Sequence, residues 1–220
     1  MGFSLRSMKL AKDLRRARIC HQRQHFIPLS ELKRLITTSV IEQEILDGNR
    51  DMEAADARTY ANRVEQSSKK LFAILSYLKK GSAICSLLDG NLSDQDLPFN
   101  KVEVDEDCSL WRREPKERIQ AFDEWEEEDI ETFERIQWWM IVPVFDKESL
   151  DCLKLGEEVI LPFIPLEEQE EKNEEIPHMK MGGYSEVTAY RIHPAHHNFW
   201  DWDTSLPLVR NLYDSFEVYY

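Results

Sequence analysis

An α+β fold, with a mainly helical N-terminal module and a small β element near the C-terminus, is what this sequence predicts. Three observations lead there. Apolar residues recur at three- and four-residue steps between Leu32 and Leu78, the period of a helix with one buried face. The run Val159-Ile160-Leu161-Pro162-Phe163-Ile164-Pro165 is apolar but twice broken by proline, which suits an edge strand or an extended segment. Residues Glu186–Ile192 alternate loosely and are rich in β-forming side chains. Apolar residues make up 42% of the 220, enough for the core of one domain with appendages. The chain divides into a basic arm (1–28), a helical acidic module (29–158), a short β-hairpin region (159–200) and an aromatic C-terminal segment (201–220).

In chain order, Pro28 precedes a helix through Leu32, Leu35, Ile36, Val40, Ile41, Ile45 and Leu46, which Asp47-Gly48-Asn49 ends. Residues 53–66 form a second helix, with 68–79 either continuing it or forming a third. In that last stretch Leu71, Phe72, Leu75 and Leu78 make an apolar stripe that stops at Lys79-Lys80-Gly81. A short helix over Ala83–Leu88 closes at Asp89-Gly90, and Leu92 and Leu97-Pro98-Phe99 are anchoring contacts after it. Residues 103–134 hold 14 acidic side chains against four basic ones. Trp111, Trp125, Phe122 and Phe133 interleave with them, so the region is not a disordered acidic tail. Helices at about 116–124 and 129–138 fit the spacing, with Ile119, Phe122, Ile130, Phe133, Ile136 and Trp139 turned inward. The aromatic cluster around Trp138-Trp139 reads as core rather than as a ligand cage. Glu167–Glu175 is the linker candidate. Phe199-Trp200-Asp201-Trp202 and Phe216–Tyr220 are aromatic enough to pack on the body or meet a partner.

The formal charge of −14 is unevenly distributed. Residues 1–30 carry a net +6 and the remainder −20. So acidic a body repels a phosphate backbone and argues against a nucleic-acid-binding domain. The basic arm reads as a solubilised terminal segment, although RNA, DNA or anionic lipid could still attract it. Gly2 satisfies a myristoylation motif but Arg6 stands where Ser or Thr is wanted; an arginine-rich start also fits a mitochondrial presequence. No apolar run is long enough for a membrane span. Cys20, Cys85, Cys108 and Cys152 are too dispersed for a short-spaced metal or redox motif, and reduced thiols are expected. The expected compartment is the cytoplasm.

The run Met181-Gly182-Gly183-Tyr184-Ser185-Glu186-Val187 is the most informative feature. Closely spaced glycines let backbone amides approach phosphate oxygens without interference from a Cβ. Gly182, Gly183, Tyr184, Ser185 and Val187 are therefore the candidate nucleotide-binding residues, with Tyr184 as a flap over phosphates and Val187 beneath an adenine ring. The competing reading is an ordinary Gly-Gly hairpin turn.

This run resembles the glycine-rich loop of protein kinases. Leu71–Leu75, Asp96–Phe99, Gln137–Met140, Pro143–Phe145, Ile160–Phe163 and Arg191–Phe199 widen the likeness to filamentous-fungal proteins in which a helical, acidic region precedes a kinase domain. The resemblance implies that the hairpin begins a kinase small lobe. On the pattern G-x-G-x-x-G-x-V, Lys180 takes the first glycine's place, Gly182 matches the second, Ser185 replaces the third and Val187 matches the valine. Tyr184 holds the aromatic flap position. The phosphate-holding lysine, its glutamate partner, the catalytic aspartate with its asparagine and the metal-binding aspartate have no counterparts after the loop. A truncated gene product without activity of its own is one expectation.

Other chemistry is thinner. His193, His196 and His197, with His178, Asp201 or Asp203, would have to assemble a zinc site around Pro194, and a surface turn is the ordinary account. Glu124, Glu126, Glu127 and Glu128 could hold divalent ions diffusely but lack an alternating calcium-loop arrangement, and Ser185 has no visible base. The expectation is therefore a non-enzyme with no catalytic residue, no cofactor and no metal: a kinase-related module that binds a protein partner or regulates one. The alternative is an atypical ATP-dependent phosphotransferase using the acidic Glu126–Asp129 cluster.

Overall fold

The computed structural model describes residues 5–104, 107–146, 155–164, 180–182, 185–187 and 191–198. Its fold is mixed α+β, predominantly helical with small antiparallel hairpins. Seven helices are described: α1 (Leu5–Ala17), α2 (Leu29–Leu35), α3 (Thr38–Gly48), α4 (Ala54–Ser67), α5 (Lys69–Tyr77), α6 (Ile84–Asp89) and α7 (Glu127–Met140). The hairpins are β1 (Ile19–His21) with β2 (Gln24–Phe26), β3 (Asn100–Val104) with β4 (Asp107–Trp111), and β6 (Lys180–Gly182) with β7 (Ser185–Val187). A fourth antiparallel pair joins β5 (Phe163–Ile164) to the distant β8 (Arg191–Ile192).

Helix α5 is the axis of the core. Leu71 through Tyr77 are all buried, and α1, α2, α4, α6 and α7 pack against it. A helix apolar on every side has to be enclosed this way, because any exposed face would forfeit its hydrophobic stabilisation. Its first turn is closed from outside: the Asp94 carboxylate accepts the Lys70 and Leu71 amides at 3.0 and 2.8 Å. These donors have no partner within the helix.

The apolar run from Leu32 to Leu46 is not one helix. Ile36 and Thr37 leave helical geometry, Thr37 being extended at φ −104° and ψ 157°. The Thr37 hydroxyl lies 3.2 Å from that of Ser39. Buried Ile36 pins the corner. Likewise Ser68 separates α4 from α5 at φ −140°.

The helix expected at 116–124 is replaced by other structure. Residues 117–119 lie against β4, through Arg112 N–H to Glu117 O (2.9 Å), Ile119 N–H to Leu110 O (2.9 Å) and a bridge between Trp111 and Arg118. A single 3₁₀ turn, Gln120–Phe122, comes next. Backbone pairing with β4 has won over local helical periodicity, while Ile119 and Phe122 are still buried. The β3–β4 hairpin itself falls in a stretch whose acid-rich sequence carries little strand signal.

The basic segment is more than a solvated appendage. Leu10, Ala11 and Leu14 of α1 are buried in the main core, as are Phe26 and Ile27. Arg15 lies over the Tyr77 ring and Arg18 over that of Trp139, at 5.2 and 5.3 Å. Ile27 N–H donates to Trp139 O at 3.0 Å, fastening the β1–β2 hairpin to the end of α7. The aromatic core lies beneath α7. Phe99 and Phe133 stack at 5.7 Å, and Phe122 meets both Phe133 and Trp125 edge-on.

Candidate functional site

Three regions bear on function: the glycine-containing hairpin, the histidine segment after it, and a groove at the end of α7. In the hairpin, Lys180 pairs with Val187, Met181 with Glu186 and Gly182 with Ser185. Of the candidate nucleotide-binding residues, Gly182 thus ends β6, Ser185 begins β7 and Val187 ends it. Gly183 and Tyr184 lie outside the described residues. The register leaves a two-residue connection between Gly182 and Ser185, the length that tight antiparallel hairpins favour.

Residues 191–198 are held against the helical body by both backbone and side chain. Phe145 N–H donates to His196 O at 2.8 Å, Asn198 N–H to Phe145 O at 3.1 Å and His193 N–H to Pro162 O at 2.8 Å. His196 is almost fully enclosed. Its Nε2 accepts the Leu29 N–H at 3.0 Å, and its Nδ1 lies 3.0 Å from Pro143 O. Because Nε2 must accept, the ring is neutral and Nδ1 carries the proton that Pro143 receives. Burial pulls the His196 pKa down, the Pro143 carbonyl opposes that, and nearby His193 and Lys70 add to the lowering. His193 is 5.9 Å away between ring centroids, and Phe26 packs edge-on against both rings. The zinc arrangement considered for this cluster does not fit: both His196 nitrogens are engaged within the fold. His193 Nδ1 accepts the Ala195 N–H at 3.1 Å. His178, Asp201 and Asp203 lie outside the described residues. Among the described residues no group of three or more His, Cys, Asp or Glu side chains is placed to hold a metal.

The groove at the C-terminal half of α7 has a volume of about 600 Å³. Trp138, Trp139 and Ile160 supply apolar surface, and Arg135, Glu134 and Glu158 are among its charged walls. The two tryptophans are half-buried, and each is covered on one side by a guanidinium: Arg113 over Trp138 at 5.6 Å, Arg18 over Trp139 at 5.3 Å. His25 meets Trp139 edge-on at 5.3 Å. Burial, reinforced by Arg18, lowers the His25 pKa. The sequence reading of this cluster as core holds for Trp139, which packs on the core; the groove it shares with Trp138 had no sequence signal, because two of its walls come from β2 and residues 158–160.

The acidic cluster sits at the start of α7, where carboxylates favour the helix dipole. Asp129 pairs with Lys80 at 2.8 Å, and the Cys108 thiol donates to Glu127 at 3.2 Å. A wider hollow of about 830 Å³ lies at the α3–α4 corner. There Arg63 is held by Leu88 O at 2.6 Å and Asp89 at 3.6 Å. No helix among the described residues is long and apolar enough to cross a membrane. No family model matches this chain, and neither the curated proteins nor the solved structures contain a significant match to it.

Proposed function

We propose that this chain is a non-catalytic, kinase-related module that works by binding another protein. The observation that carries the binding half is the groove at Trp138 and Trp139. Tryptophan and arginine dominate the energetics of protein interfaces, particularly where apolar rings are rimmed by charge. Here they are presented together on a rigid helix end, beside mixed charges that would set a partner's orientation. The kinase-related half rests on the resemblance of the glycine-containing run to a kinase loop. The hairpin register, which sets Gly182 and Ser185 opposite one another, is compatible with that loop and equally with an ordinary Gly-Gly turn.

The lack of catalysis is argued from chemistry. Phosphoryl transfer needs a cationic anchor and metal-holding carboxylates around the nucleotide. Two carboxylates of the acidic cluster proposed for that task are engaged, Asp129 by Lys80 and Glu127 by Cys108, which weighs against the phosphotransferase alternative.

The test has two arms. Calorimetric titration with magnesium–ATP, combined with a phosphoryl-transfer assay, is expected to give no turnover; tight binding with measurable transfer overturns the proposal. In the second arm a protein captured from cell extract is purified and titrated directly. Trp138→Ala, with its circular dichroism unchanged, is expected to weaken binding by at least about tenfold. Undiminished affinity removes the groove from the argument.

A further inference from the structure

We propose that His196 is a protonation-operated latch: neutral, it fastens residues 191–198 to α2 by accepting the Leu29 amide at Nε2, and protonated there it gives up that bond and loosens them. The inference is independent of what the hairpin or the groove binds.

The geometry makes the latch one-sided. Nε2 accepts the Leu29 amide proton. A proton added at Nε2 turns that acceptor into a donor facing another donor, so the bond is replaced by repulsion. The Pro143 contact at Nδ1 survives in either state, because Nδ1 donates in both. The attraction favouring the cation is thus a carbonyl that is already bonded. Against it stand enclosure in the core and positive charge on other elements. Lys70, in the first turn of α5, and His193, on the same segment, both oppose a charge on His196. Glu31 of α2 acts on His193. The Phe26 ring of β2 closes one side and carries no charge.

Detachment would propagate because the backbone pairings of this segment are short. His196 O and Asn198 N–H bracket Phe145, and β8 touches β5 through only two residue pairs. Two-residue pairings need a packed side chain to persist. His196 is the buried residue of 191–198, and its neighbours there are partly or fully exposed. The latch therefore governs how firmly the chain after the hairpin is tied to the helices.

Hydrogen–deuterium exchange of the full chain, expressed as protection factors, tests this. Between pH 7.5 and pH 5.0 protection at Leu29 and across 192–198 is expected to fall about tenfold, the effect of losing one buried hydrogen bond. Protection of α5 should fall by much less, tracking only the overall loss of stability. His196→Gln, whose side-chain carbonyl can accept from Leu29 but does not titrate, should lose at 192–198 only what α5 loses. His193→Gln should still respond. Unchanged protection in the native protein, an undiminished response in His196→Gln, or a loss at α5 as large as that at 192–198 overturns the latch. Imidazole ¹⁵N shifts of the native protein give a reading that needs no variant. The Nδ1–H tautomer, with the Leu29 amide resonance tracking its titration, supports the latch, and the Nε2–H tautomer refutes it.

Discussion

Replacing Gln137 by leucine isolates what one buried amide does for this fold. Gln137 is fully enclosed on α7. Its Oε1 accepts the Phe99 N–H at 2.8 Å and its Nε2 donates to Phe99 O at 2.9 Å. The side chain thus pairs with the backbone as another strand would, and holds Phe99 in the stack with Phe133. Leucine is close to glutamine in volume, so the cavity contribution is small. What is lost is both partners of a buried peptide, each costing about 1–3 kcal/mol when left unsatisfied. Leucine returns about 1 kcal/mol through easier burial. The net expectation is ~1–5 kcal/mol, centred near 3, a large share of the roughly 5–15 kcal/mol that holds a typical domain together. Urea unfolding monitored by circular dichroism at helical wavelengths should show the midpoint falling by about 0.5–2.5 M, for a slope near 2 kcal/mol per molar. Ile136→Val, one position away and equally buried, supplies the scale for simple apolar truncation at about 1 kcal/mol. If Gln137→Leu proves as stable as the native chain, the pairing with Phe99 is not what fixes that segment, and the reasoning fails.

Three further outcomes are expected. Gly48→Ala should destabilise although alanine is the better helix former by about 1 kcal/mol, because a Cβ there would overlap the Ser82 side chain; thermal melts should show Ser82→Gly relieving the loss. Thermal stability should decline as pH falls from about 6.5, the ordinary histidine value, through the lowered values of His25, His193, His196 and His197. The sign comes from burial favouring the neutral rings: the unfolded chain takes up protons first, so the stabilisation is complete above that range and lost below it. A midpoint that is flat between pH 7.5 and 5 contradicts this. Finally, burial raises the Cys85 thiol to about 11, so iodoacetamide at pH 8 should label exposed Cys20 well before Cys85 by peptide mass spectrometry; equal rates would show the core opening readily.

How legible the fold was depended on whether a signal was local. The stripe at Leu71, Phe72 and Leu75 and the stop at Lys79-Lys80-Gly81 read directly, since the period and the breaker lie within one element. Lys79 takes the positive φ that ends the run. The break at Thr37 was hidden, because the apolar period continues through it while a buried Ile36 turns the chain. Residues 117–119 misled for the opposite reason. Their spacing suits a helix, but β4 offers them backbone partners that no window of neighbouring sequence contains. Gln137 and His196 carried no pattern at all. Each matters through a partner 38 or 167 positions away, and only the fold brings those partners together. The hairpin was legible at Gly182, Ser185 and Val187 as a turn with a strand after it, while its chemical meaning rests on resemblance.

The pairing of Phe163–Ile164 with Arg191–Ile192 has a consequence for how this chain could vary. It brings Ile164 and Arg191, the two ends of the intervening stretch, side by side. Doubling the length of such a stretch costs only about 0.6 kcal/mol of closure entropy. At the β5–β8 pairing itself, a longer chain between Ile164 and Arg191 therefore carries only that small closure cost.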